Sequence, residues 1–176
     1  MSTGTIPEAA IQKYAGLVPP ELAVLWTDYG VGTFHEGYLP VVNPDDWGQL
    51  VQDTHQGLNP LIPIMTTAMG DVIGWDGELL LLLDYRHGLV WTLFSEKFFL
   101  KHLDEPGYME EELHWSPYPQ AREQHGTPGP GQCFGYVPIL AAGGAEKVEN
   151  LQILDMHTHI EVITALTGPL DEFVTY

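Results

Sequence analysis

The chain has 176 residues and carries 24 Asp and Glu against 6 Lys and Arg, a formal net charge of −18. Such a surface repels phosphate, which argues against nucleic acid and anionic membranes as ligands, and it attracts cations or a basic protein. One cysteine, Cys133, leaves no internal disulfide and no multi-cysteine zinc site; no apolar stretch reaches the ~18 residues of a membrane span, and the N-terminus lacks a signal-peptide pattern, so a cytoplasmic location is expected.

In chain order, Thr5 and Glu8 have capping-box spacing and predict a short helix to about Tyr14. After Pro19-Pro20 a helix is predicted over residues 21–29, with Leu22, Leu25, Trp26 and Tyr29 in one apolar stripe and Gly30 as its stop. Phe34 to Val42 reads as extended. Asn43 then caps a helix opened by Pro44 and running to about His55, which buries Trp47, Leu50 and Val51.

Residues 62–94 read as consecutive strands joined by tight turns, and the rest of the chain is organised around them. Asp76-Gly77 is a type I′ hairpin signal. Leu79 to Leu83 is an unbroken apolar run; a strand with one wet face would alternate, so this one is expected to be central and covered on both faces. Tyr85-Arg86-His87-Gly88 turns the chain into a further strand, Leu89 to Phe94.

Ser95 is the expected cap of a helix carrying Phe98, Phe99 and Leu103, and an acidic segment, Asp104 to Trp115, follows. Between Ser116 and Gln132, Pro117, Pro119, Pro128 and Pro130 are expected to break any regular element, making a Pro/Gly-rich junction over 116–131. Beyond it come extended runs over 133–142 and 150–156, separated by a Gly143-Gly144 turn. Thr158 and Glu161 have capping-box spacing for a closing helix that packs Ile160, Ile163 and Leu166 inward.

The chemistry-bearing patterns are few. His157-x-His159 with Asp155 is the spacing of a metal-dependent hydrolase, since alternate residues of a strand share a face. If Thr158 opens a helix, that geometry is lost. Gly126, Gly129 and Gly131 suggest a phosphate loop, but Pro128 and Pro130 each remove a donor and no Lys follows. Ser95 and Ser116 lie in no nucleophile elbow, and Cys133 opens an apolar strand, where a thiol is ordinarily a small buried hydrophobe. Asp104, Glu105, Glu110, Glu111 and Glu112 form an acidic run flanked by Tyr108, Trp115 and Tyr118. It reads either as a solvated helix face or as a docking face for Lys and Arg of a partner, with the aromatics as anchors.

Specific residues also carry a family resemblance. Leu25-Trp26-x-x-Tyr29-Gly30-x-Gly32-x-Phe34, Gly37-Tyr38-Leu39, Val42-Asn43-Pro44 and Thr67-Ala68-Met69-Gly70-Asp71 with Trp75 resemble the GAD-like domain. Phe134-Gly135-Tyr136-Val137-Pro138, Gly143-Gly144, Val148-Glu149-Asn150-Leu151 and His159-Ile160 resemble the C-terminal domain of type VI secretion immunity proteins, in the order found in that family. The resemblance implies an α+β fold with a curved, mainly antiparallel sheet and flanking helices, SUKH-like in architecture. It divides the chain into a GAD-like region (1–115), the junction (116–131) and a C-terminal region (132–176) packed on the same sheet. It further implies a cytoplasmic, non-enzymatic immunity protein without cofactors that neutralises a secreted DNase toxin. Its partner would be a cognate basic nuclease. The alternatives are the metal-dependent hydrolase and a housekeeping SUKH-like binding module.

Overall fold

The computed structural model describes residues 4–93 and 96–172. The first helix, α1 (Glu8–Tyr14), is followed by α2 (Pro20–Val24) and a π-helical turn over Leu25–Tyr29. A hairpin, β1 (Thr33–Phe34) and β2 (Leu39–Pro40), leads to α3 (Pro44–Thr54) and a short β3 (His55–Gln56). The meander is β4 (Ile62–Thr66), β5 (Val72–Trp75), β6 (Leu80–Asp84) and β7 (Leu89–Leu93), paired antiparallel in that order. Then come α4 (Phe99–His102), α5 (Tyr108–Glu111), α6 (Pro117–His125), an antiparallel pair β8 (Gln132–Tyr136) and β9 (Leu151–Asp155), α7 (Met156–Thr167), and β10 (Leu170–Asp171) lying parallel to β3. The class is α+β.

The apolar run of β6 explains the layering. Its side chains alternate, so Leu80 and Leu82 enter one core while Leu81 and Leu83 enter another on the opposite face. The first core is filled by Leu22, Leu25 and Trp26 from the N-terminal helical segment, with Tyr38, Tyr118 and Phe134. The second is filled by Trp47, Leu50 and Val51 of α3 and Met156, Ile160 and Ile163 of α7. The central strand is thus covered on both sides, as the absence of alternation predicts. Asn43 caps α3 as expected, its side chain accepting from the Asp45 N–H at 3.1 Å.

Several local expectations fail for identifiable reasons. The first helix is preceded by Pro7 with no side-chain cap, so Thr5 does not close a capping box. The stripe over 21–29 holds only to Trp26; the wider i→i+5 turn rotates the chain out of α register, and Tyr29 is left 49% exposed against Phe34. Phe34 to Val42 is a hairpin and not one extended strand, its turn passing through His35 and Glu36 at positive φ. In the Asp76-Gly77 turn only Gly77 has positive φ, which a type I′ turn would require of both central residues; Asp76 instead accepts from the Glu78 and Leu79 N–H groups. Residues 116–131 are not wholly irregular. Pro117 and Pro119 fall in the first turn of α6, where N–H groups have no intrahelical acceptor, so they start a helix and do not break one. The extended run from Cys133 stops at Tyr136, and a 3-10 turn over Leu140–Ala142 follows. The closing helix begins earlier than expected: Asp155 is its cap, accepting from Thr158 N–H at 2.9 Å, and Leu166 is exposed. The cap predicted at Ser95 and the strand end at Phe94 lie outside the described residues, and of the apolar residues that follow, Phe99 and Leu103 are buried while Phe98 is 53% exposed.

Candidate functional site

The β6–β7 turn concentrates charge that the core cannot hydrate. Asp84 ends the apolar run and is buried, so its carboxylate must be satisfied from within the protein. It accepts from the His87 backbone N–H at 3.1 Å and from His87 Nδ1 at 2.8 Å, and the Trp91 indole N–H donates to it at 3.2 Å. Arg86 turns the other way, into the protein. Its Nη2 donates to Asp71 Oδ2 at 2.8 Å and its Nε to Asp71 Oδ1 at 3.3 Å, with both side chains almost wholly buried.

Asp71 is held by the turn that joins β4 to β5. Thr67 Oγ1 donates to Asp71 Oδ2 at 2.8 Å and accepts from the Met69 and Asp71 N–H groups. Gly70 sits at φ +89°, and a Cβ there would lie 3.4 Å from Cys133 Sγ. The same turn joins three segments of the chain: Ala68 N–H donates to Tyr38 O and Phe134 N–H to Ala68 O, each at 2.7 Å. Thr67-Ala68-Met69-Gly70-Asp71 is therefore a structural node. Burial pushes the Asp71 carboxyl above the usual aspartate range, against the pull of Arg86. Burial also works against the Arg86 charge, but the Asp71 carboxylate outweighs it and keeps the guanidinium firmly protonated.

His87 extends the network across the fold. Its Nδ1 faces Asp84 and its Nε2 lies 2.6 Å from Glu146 Oε1, a residue 59 positions away. A ring with a carboxylate on each nitrogen is stabilised as the imidazolium. The Asp84 hydrogen bond is the main cause of a pKa pushed up to about 9, with burial opposing it and Glu146 assisting. For Asp84, burial alone would raise the carboxyl; the His87 hydrogen bond and the Arg86 charge bring it below its ordinary value.

Beside this network lies a cleft of about 290 Å³ lined by Arg86, His87, Glu110, His114, Ser116 and Glu146. His114, held at φ +52°, sits between His87, which it meets edge-on, and Trp91, to which it is tilted, with ring centroids 5.9 and 5.8 Å away. Its Nε2 is buried without a hydrogen bond, 3.7 Å from Asp84 Oδ2. Trp91 is 42% exposed on the flank, its N–H tied to Asp84.

The sequence-derived residues divide. Asp104, Glu105, Glu110 and Glu111 are exposed, and Glu112 is half-buried. The three aromatics beside them face inward. Tyr118 is fully buried, donating to Glu36 O at 2.7 Å; Tyr108 is 8% exposed and stacked on His102; Trp115 is half-buried edge-on to Tyr38. None of the three presents the free ring that an anchor needs, whereas Trp91 does. The sequence reading missed Trp91, His87, His114 and Glu146; a tryptophan on the outer strand beside a Tyr-Arg-His-Gly turn was the available signal for the first two.

His157 and His159 fall in the first turn of α7 and point apart. His157 packs tilted against Trp47 with ring centroids 4.2 Å apart, its Nε2 3.1 Å from Asp46 O. His159 is buried against Gly135, where a Cβ would meet its ring at 2.6 Å, and burial lowers its pKa. Among the described residues no three His, Cys, Asp or Glu side chains stand together as metal ligands. Burial pushes the Cys133 thiol up to about 12. No helix among the described residues is long and apolar enough to cross a membrane.

Comparison with known proteins places two families along the chain. Residues 1–84 match the GAD-like domain, and residues 94–167 match the family described as T6SS immunity protein Tdi1, C-terminal. Among solved structures, Atu4351 from Agrobacterium tumefaciens is similar, with a TM-score of 0.74 and 17% identity over 98% of this chain and 88% of that one; at that identity the likeness concerns the fold. No curated protein sequence matches.

Proposed function

From a chain that joins a GAD-like domain to the C-terminal domain of a T6SS immunity family, we infer an immunity protein that binds and neutralises a cognate secreted nuclease and catalyses no reaction of its own. The observation that carries this reading is the immunity-family match over residues 94–167. The net charge of −18 supports the nuclease as partner: an enzyme that grips DNA presents a basic face, and an acidic inhibitor is drawn to it and covers it. Asp104, Glu105, Glu110 and Glu111 are exposed and would steer that encounter.

The test is co-expression with candidate secreted nuclease toxins, scoring survival and co-purification. Survival with a recovered complex is expected. Killing undiminished by the protein refutes the reading. Within a recovered complex, raising salt should slow association far more than it speeds dissociation, because exposed charges act on the encounter. Association rates indifferent to salt would remove the electrostatic part.

A further inference from the structure

We propose that the cleft between the β6–β7 turn and the α5–α6 segment receives an arginine side chain of the basic partner, with the exposed Trp91 ring on its flank beside His114. This rests on the immunity reading above and names its contact point.

The charges around the cleft are mostly already paired. Arg86 is committed to Asp71, and His87 is shared between Asp84 and one oxygen of Glu146. What is left for a ligand is Glu110, exposed and, among the described residues, without an ion pair or side-chain hydrogen bond, and the second oxygen of Glu146. Glu110 and Glu146 line the cleft, while the Arg86 and His87 charges that also line it are each matched by a buried carboxylate behind them, Asp71 and Asp84. An anion entering here would meet uncompensated carboxylate and find both cations occupied; a guanidinium meets acceptors.

Trp91 adds the second half of the site. Because its N–H is held by Asp84, the indole is fixed in orientation while 42% exposed, and His114 packs beside it at 5.8 Å. A fixed indole face next to an acidic hollow suits a planar guanidinium, which can stack and donate together; an ammonium cannot match both. The volume, about 290 Å³, accommodates such a side chain.

The probe is Nα-acetyl-arginine amide, titrated into the isotope-labelled full chain while the indole N–H resonance of Trp91 is followed. A saturable shift is expected, with none from Nα-acetyl-citrulline amide, which has nearly the same shape without the charge, and none from inorganic phosphate. Glu110→Gln should weaken the probe about two- to fivefold, the range of a rim ion pair. No saturable shift, a shift with phosphate instead, or unchanged affinity in Glu110→Gln overturns the proposal. The cellular arm uses Glu110→Lys and Trp91→Ala, with melting curves to establish that each folds. If the wild type protects and these folded variants protect less at limiting expression, the proposal stands. Equal protection by both variants overturns the cleft and leaves the immunity reading intact. Failure of the wild type to protect overturns both.

Discussion

Replacing His87 by glutamine keeps a donor for Asp84 but removes the ionisable ring. In the folded protein the ring titrates at about 9, against 6.5 for a free histidine. A raised pKa means that the folded state binds the proton more tightly than the unfolded chain. The stabilisation is therefore complete below the unfolded value and is lost as pH climbs through the folded one. At 1.36 kcal/mol per pH unit the full difference would be about 3 kcal/mol. The His87 side chain is 29% exposed and Glu146 50% exposed, so solvent screening reduces this to about 1–2 kcal/mol. The assay is urea unfolding at steps between about pH 6 and about pH 10, subtracting the variant's curve from the wild type's. Other groups cancel in that difference: His159, lowered by burial, acts as pH falls below the ordinary histidine value, and Cys133, raised by burial, contributes equally to both proteins. The wild type should lose about 1–2 kcal/mol relative to His87→Gln across this window, and most of the change should be complete by about pH 10. Parallel curves would refute the carboxylate–imidazolium–carboxylate clasp.

Arg86→Met strands Asp71 as a buried charge and should cost about 3–5 kcal/mol in chemical denaturation, whereas adding Asp71→Asn should recover more than about 1 kcal/mol; additive losses would contradict direct coupling. Gly70→Ala should cost about 1–3 kcal/mol at its left-handed backbone, read as a lower urea midpoint at unchanged slope. Cys133, fully buried with its thiol held protonated to about 12, should react with an aromatic disulfide reagent only as fast as the protein opens; rapid labelling under native conditions would contradict that burial.

The elements legible in the sequence are those whose causes are local. The Leu79–Leu83 run announced a strand with two covered faces because a pleat sends alternate residues to opposite sides whatever packs there; only Leu79, which precedes β6 and is 46% exposed, falls outside it. Asn43-Pro44 announced a helix start because cap and proline act within one turn. The acids at Asp104, Glu105, Glu110 and Glu111 were legible as exposed because a carboxylate with no buried partner stays in water, Glu105 meeting only the His102 ring at the surface. Tertiary structure decided everything that depends on which distant segments meet. Asp71 finds Arg86 fifteen residues on, and His87 finds Glu146 fifty-nine residues on, only after the meander and the loop before β9 have been placed. Tyr118 turned inward because α6 packs on the hairpin, where Glu36 O accepts its hydroxyl. Trp91 stayed outward because it lies on the outer strand of the sheet, with its N–H claimed by Asp84. Local propensity has no term for such pairings: their energy arises from burying charge and aromatic surface, which exists only once the chain has closed around them.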